Sequence, residues 1–161
     1  ACRLRRRRPV VALLKSTLTP PELSLDSKTH YHLFLSHIWA TGQDQVAVIK
    51  RRVSALLPGA RIWLDVDDLL DISNLEECVQ DSAVVLIFLS AGYFLSKNAL
   101  REVRAAKSLK KPLVLVHEQD EAKGGATIEV LRAECPPSLA GYVFGMDAAA
   151  WSGEPSESGG G

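Results

Sequence analysis

The sequence predicts an α/β domain, a three-layer sandwich around a central five-stranded parallel sheet. Three observations carry this. Five short runs are apolar nearly throughout, the pattern of strands covered on both faces. Between them lie stretches whose apolar residues recur at helical spacing. The chain has 161 residues, 47% of them hydrophobic, a size that suits one domain with a substantial core.

The expected strands are "YHLFLS" (31–36), "RIWLD" (61–65), "AVVLIFLS" (83–90), "PLVLVH" (112–117) and "GYVFG" (141–145). After the first, Val46, Ile49, Val53, Leu56 and Leu57 mark one face of a helix that Pro58 and Gly59 stop. "SNLEECVQ" opens a second helix, with Ser73 as N-cap and Glu76 three residues on, the spacing of a capping box. A third helix is expected over residues 91–109. Residues 118–137, which include Gly124 and Gly125, read as a long loop with one short helix, and "MDAAAWSGE" shows no helical signal. Alternating strands and helices call for parallel pairing through right-handed crossovers, a flavodoxin-like arrangement.

Composition excludes several classes of function. Nineteen basic and nineteen acidic side chains cancel, so no global field draws the chain to nucleic acid or membrane. No apolar run approaches the roughly 18 residues of a membrane span. Cys2, Cys78 and Cys135 form neither a CxxC nor a Cys/His cluster, so neither a disulfide framework nor a metal site is expected, and a reducing, cytoplasmic setting is. Residues 1–27, with "RLRRRR", read as a basic linker, an address or an arm for anionic partners. Residues 28–150 are the expected folded unit, and 151–161 a Gly/Ser-rich tail.

In an open parallel sheet ligands bind beyond the carboxyl ends of the strands. Here those ends read Ser36-His37, Asp65, Ser90 and His117-Glu118. There is no phosphate-binding G-x-x-x-x-G-K-[ST] loop, no G-x-G-x-x-G turn and no G-x-S-x-G elbow. Asp65, Asp67, Asp68 and Asp71 cluster after the second strand; they read as a solvated loop whose acids favour the next helix N-terminus, with a magnesium pocket as the alternative.

One residue of the third helix is out of place. At about 100° per residue, Arg101, Arg104 and Ser108 share one side, while Glu102 falls in the apolar arc between Ala106 and Leu109. A carboxylate on a face meant for burial is costly unless something pairs with it. It is therefore either paired with a nearby Arg or placed for chemistry.

"YHLFLSH", "ARIWLDVDDL", "SAVVLIFLSAGYF" and "NALREV" resemble, in order and spacing, the boxes of the Toll/interleukin-1 receptor (TIR) domain family. The resemblance is nearest to the TIR domains that cleave NAD, the animal axon-degeneration and plant immune receptor types, and it covers residues 31–111. It implies the TIR version of the flavodoxin-like fold and places Glu102 at the catalytic glutamate. It implies nucleotide contacts from the residues just after the first-strand Ser36, namely His37, Ile38 and Trp39, with Ser36, Asp65 and Trp63 as further candidates, Trp63 reading first as core because it alternates inward on its strand; the basic pair of the axon-degeneration enzyme is absent, and Asn98 and Ala99 stand where plant members carry an aromatic and a Cys. NAD would be a substrate, with no prosthetic group and no metal. The resemblance also implies signal transduction, as in innate immunity, through TIR-TIR self-association. The contact would be the BB loop, here Asp67, Asp68, Leu69, Leu70, Asp71 and Ile72, which lacks the Gly or Pro common in that loop, and its acids would seek a basic face such as that of Arg101 and Arg104. Two functions are expected: an NAD glycohydrolase centred on Glu102, or a non-catalytic TIR interaction module.

Overall fold

The structure, a computed structural model, describes residues 11–64 and 74–145. Their order is β1 (Tyr31–Ser36), α1 (Trp39–Leu56), β2 (Ile62–Leu64), α2 (Leu75–Gln80), β3 (Ser82–Leu89), a 3₁₀ turn (Tyr93–Leu95), α3 (Lys97–Ser108), β4 (Leu113–His117), a second 3₁₀ turn (Glu121–Lys123), α4 (Ile128–Glu134) and α5 (Pro137–Phe144). All strand pairs are parallel, in the order β2-β1-β3-β4.

Alternation along the strands sorts the core into two halves. Phe34, Trp63, Val85, Ile87 and Leu89 point to one face, where they pack with Leu75, Val79, Val103, Leu131, Leu139 and Val143 from α2 to α5. Leu35, Ile62, Leu64, Leu86 and Phe88 point to the other and meet Val46, Ile49 and Val53 of α1. Three layers result. Each large side chain removed from water contributes about 1.5–3 kcal/mol, so both halves resist sliding of the helices over the sheet.

The sheet has four strands among the described residues rather than the expected five. "GYVFG" lies in α5 instead. Pro137 occupies the first turn of that helix, where its missing N–H costs nothing, and Leu139 and Val143, four residues apart, are its buried pair. The apolar run is short because only one helical face is apolar. The third helix is also shorter than expected: Gly92 turns the chain at φ 77°, the 3₁₀ turn follows, and Ser96 caps α3 by accepting from the Ala99 N–H at 3.3 Å. Leu109 lies past the helix end and is exposed. The N-cap of α2 is Asn74, with no side-chain cap bond. Ser73 of the expected capping box lies outside the described residues, as do Asp65 and the whole expected BB loop, Asp67 to Ile72. Residues 11–27 carry no helix or strand, and the Ala12 N–H donates to the Leu56 carbonyl at the end of α1. Among the described residues no helix is long and apolar enough to cross a membrane.

The strand order changes direction between β1 and β3, which opens a crevice at their carboxyl ends. The β4-α4 connection packs behind it. The Gly125 N–H donates to the Asp120 carbonyl at 2.9 Å, and the Gly124 carbonyl accepts from Ala91 N–H at 2.9 Å. A Cβ at Gly125 would sit 2.5 Å from the Glu118 carbonyl oxygen and 2.8 Å from both N and O of Asp120, all of them backbone atoms that cannot step aside. Gly125→Ala should therefore lower the unfolding free energy by about 1–3 kcal/mol. Urea denaturation checks this, and an unchanged midpoint would mean that the connection is not packed this way.

Candidate functional site

Glu102 projects from the face of α3 that also buries Ala99, Val103 and Ala106, and is itself only 4% exposed. Its carboxylate accepts a hydrogen bond from the Ser36 hydroxyl at the end of β1, and the same hydroxyl is bonded to the Tyr93 phenol. Ser36 has one proton and gives it to the carboxylate, so Tyr93 must donate to Ser36 Oγ. The chain of donors then runs from Tyr93 to Ser36 to Glu102. All three are buried, and such a network gains strength from the low local dielectric. Burial, and after it the negative charge of Glu102, push the Tyr93 phenol well above its ordinary 10.0 and keep it a donor.

Arg101 is committed elsewhere. Its guanidinium donates to both carboxylate oxygens of Glu76 on α2, Nε at 2.9 Å and an Nη at 2.8 Å, and this pair holds the Glu76 carboxyl below its ordinary range. Glu102 is thus held by a hydroxyl from β1 while its neighbour in sequence pins α3 to α2. Arg104 remains exposed.

In front of Glu102 lies a cleft of about 220 Å³ lined by His37, Ile38, Trp39, Ser96, Asn98 and Glu102. Its two walls are the β1-α1 turn and the amino end of α3, beyond the carboxyl end of β1, at the crevice where strand order reverses. Gly42 lets α1 close down on this turn: a Cβ there would come within 3.1 Å of the Phe88 ring and 3.3 Å of His37 Cβ. His37 is buried as a result, whereas Trp39, at the start of α1, is 53% exposed. Trp39 also borders a neighbouring groove of about 350 Å³ that reaches Lys123 and Gly124. Thr41 Oγ1 and Ser90 Oγ, 2.7 Å apart, join the β1-α1 turn to the segment after β3.

Of the residues singled out in the sequence, the structure brings Glu102, His37, Ile38 and Trp39 to the cleft and sets Ser36 behind it as support. Trp63 is not brought there. It is buried and stacks on Phe34, centroids 4.5 Å apart and planes 6° apart. Asp65 lies outside the described residues. The room in front of Glu102 comes from Ser96 and Asn98, since Ala99 and Ala106 are core. Asn98 was noted only as a departure from the plant pattern, and Tyr93 and Ser96 were not singled out; Gly92 and the Ser96 cap are the local signals that separate Tyr93 from the helix. His117 ends β4 and its Nε2 meets the Ala126 carbonyl at 2.6 Å, away from the cleft. No group of three or more His, Cys, Asp or Glu among the described residues could hold a metal ion.

The donor order has a consequence for alkaline stability. In the unfolded chain Tyr93 ionises near its ordinary 10.0, while in the fold it stays protonated. Its contribution is fully present below pH 10 and is lost as pH rises above that value, by up to about 1.4 kcal/mol per pH unit. Tyr93→Phe should remove one proton's worth of that slope, measured by urea unfolding between pH 9 and 11. Parallel slopes for wild type and variant would mean that the phenol ionises freely in the fold.

No protein-family model matches the sequence, and no curated protein does. Among solved structures the chain is similar to the TIR domain of the Toll-related receptor TRR-2 from Hydra magnipapillata, with a TM-score of 0.45 and 9% identity over 53% of this chain and 69% of that one. It is also similar to a metazoan TIR-STING receptor from C. gigas, with a TM-score of 0.51 and 17% identity over 73% of this chain. The match spans 38% of that receptor's own length. At these identities the likeness concerns the fold alone: the described residues have a TIR-like α/β fold on a parallel sheet.

Proposed function

We propose that this chain is a TIR domain that cleaves NAD at the bond between nicotinamide and ribose, with Glu102 as the central catalytic group. The observation that carries the reading is the placement of a buried carboxylate at the floor of a cleft, held by the Ser36 hydroxyl, at the strand ends where this class of sheet binds ligands. The chemistry asks for little more. Nicotinamide leaves NAD as a neutral molecule from a cationic ring, so no acid is needed to protonate the leaving nitrogen. What needs help is the positive charge that grows on the ribose as the bond breaks. A fixed carboxylate beside the sugar stabilises that oxocarbenium-like charge and positions the ribose hydroxyls. Water or an internal nucleophile then takes the anomeric carbon and loses a proton, giving ADP-ribose or a cyclic product.

Burial makes the carboxylate more effective, because its field is less screened than at an exposed surface. The hydroxyl chain from Tyr93 fixes it before substrate arrives, which limits reorganisation during the reaction. The exposed Trp39 indole offers a flat face for a ring of the substrate, and the two concavities that it borders give a dinucleotide a path out of the small cleft.

The size of that cleft also favours a second reading. About 220 Å³ is below the roughly 300–1,000 Å³ of common ligand sites, so the domain alone does not enclose a dinucleotide. On the second reading it is a non-catalytic TIR module that signals by association with other TIR domains. On the first, self-association through residues 67–72 contributes to the site, and activity rises faster than linearly with protein concentration.

Glu102→Gln keeps the size of the side chain and removes its charge. It should lower nicotinamide release from NAD by about 10²-fold or more, with thermal unfolding checked alongside. A folded variant that retains more than a third of the wild-type rate would remove Glu102 from the chemistry, and wild-type protein that releases no nicotinamide at any concentration would leave the interaction module.

A further inference from the structure

A larger cavity lies toward the β4 edge of the sheet, on the face that α3 also covers but away from Glu102. It measures about 690 Å³, and its apolar lining comes from Leu89, Leu115, Ile128 and Phe144. Leu89 and His117 are register partners at the last positions of β3 and β4, so this cavity too sits where strands of a parallel sheet end. It shares no lining residue with the Glu102 cleft. Its volume falls in the range of small-molecule sites.

The polar groups are few and unequal. Arg132 of α4 lays its guanidinium over the Phe144 ring, 5.3 Å from the centroid, and makes no salt bridge among the described residues. Its Nε is buried and finds no hydrogen-bond acceptor among them. A buried guanidinium N–H without an acceptor is unfavourable, and an anion would satisfy it. His117 is already occupied, since the Ala126 carbonyl can only accept and Nε2 must donate to it. Glu129 also lines the cavity; its exposed carboxylate is held below its ordinary range first by its own backbone N–H, then by Thr127, with the charge of Arg132 a smaller contributor. The cavity thus combines apolar walls, a guanidinium set over an aromatic ring and a cationic donor, Arg132 Nε, that lacks an acceptor among the described residues.

We propose that this cavity is a second ligand site, which takes a small molecule with a flat apolar body and one carboxylate directed at Arg132. The apolar body would pack against Leu89, Leu115 and Ile128, and the carboxylate would meet the guanidinium over the Phe144 ring. Arg suits this better than Lys because its planar fork matches a carboxylate and stacks on a ring.

The test uses 1-naphthoate and its neutral counterpart 1-naphthamide, titrated into the full chain and followed by amide chemical shifts. Naphthoate should move the signals of Leu115, Ile128, Arg132 and Phe144 and bind about tenfold or more tightly than the amide, the difference expected for a charge-assisted hydrogen bond. Arg132→Gln should bring the acid down to the level of the amide, and Arg132→Lys should fall between. Glu102→Gln should bind naphthoate as wild type does, which separates this site from the NAD reading. Equal binding of acid and amide would overturn the proposal, as would shifts confined to the Glu102 cleft. So would shifts of the same four residues on raising protein concentration alone with no response to naphthoate, since the cavity would then be a contact between copies. If Arg132→Gln does not fold, the comparison of acid with amide on wild type still decides.

Discussion

A carboxylate inside a core must be satisfied where it stands, and the disposition of three elements follows from how Glu102 is. Its donor, Ser36, closes β1; the donor to Ser36, Tyr93, sits in the turn after β3; Glu102 itself comes from α3. Those elements cannot shift relative to one another without stranding a buried polar group, at a cost of about 1–3 kcal/mol or more for a charged one. Hydrophobic burial supplies most of the stability of the two core halves. The hydroxyl chain supplies something else, a unique position for a negative charge at the reversal of strand order.

Around that charge and away from it the domain is built differently. The Glu102 cleft is small, with an exposed indole at its edge. The Arg132 cavity is larger and apolar, under a cation that faces an aromatic ring. The Arg101-Glu76 pair belongs to neither: it ties α3 to α2 on the surface, and at such exposure it contributes about 1 kcal/mol or less. The same pair engages the basic face expected to meet an acidic loop, where Lys97 and Arg104 remain exposed.

Much of the fold was legible because strands buried on both faces write themselves as continuous apolar runs. "YHLFLS" and "AVVLIFLS" are such runs, and the structure places β1 and β3 on them within a residue. "GYVFG" has the same look for a different reason: it is a short piece of a helix with one apolar face, and the buried pair Leu139 and Val143 straddles its start. Periodicity cannot separate the two in five residues. Glu102 was legible as a carboxylate at an apolar position, and Ser36 as a strand end. The bond between them was not, because it joins residues 66 apart in sequence. Tyr93 was hidden by its absorption into a predicted helix, which Gly92 and Ser96 in fact break. Trp63, a further candidate for nucleotide contact whose inward alternation favoured the core, is in the core and stacks on Phe34, because a flat apolar surface gains from a flat neighbour.

On the proposed function, the Glu102 carboxylate is the group that a nucleotide meets in the cleft. The most direct measurement is the ¹³C resonance of that carboxyl in protein labelled at glutamate side chains, assigned by its loss in Glu102→Gln, during titration with a non-cleavable carbocyclic analogue of NAD. The Glu102 signal should move with saturation while those of Glu76 and Glu129 stay in place. A saturable shift elsewhere with an unmoved Glu102 signal would contradict the proposed function.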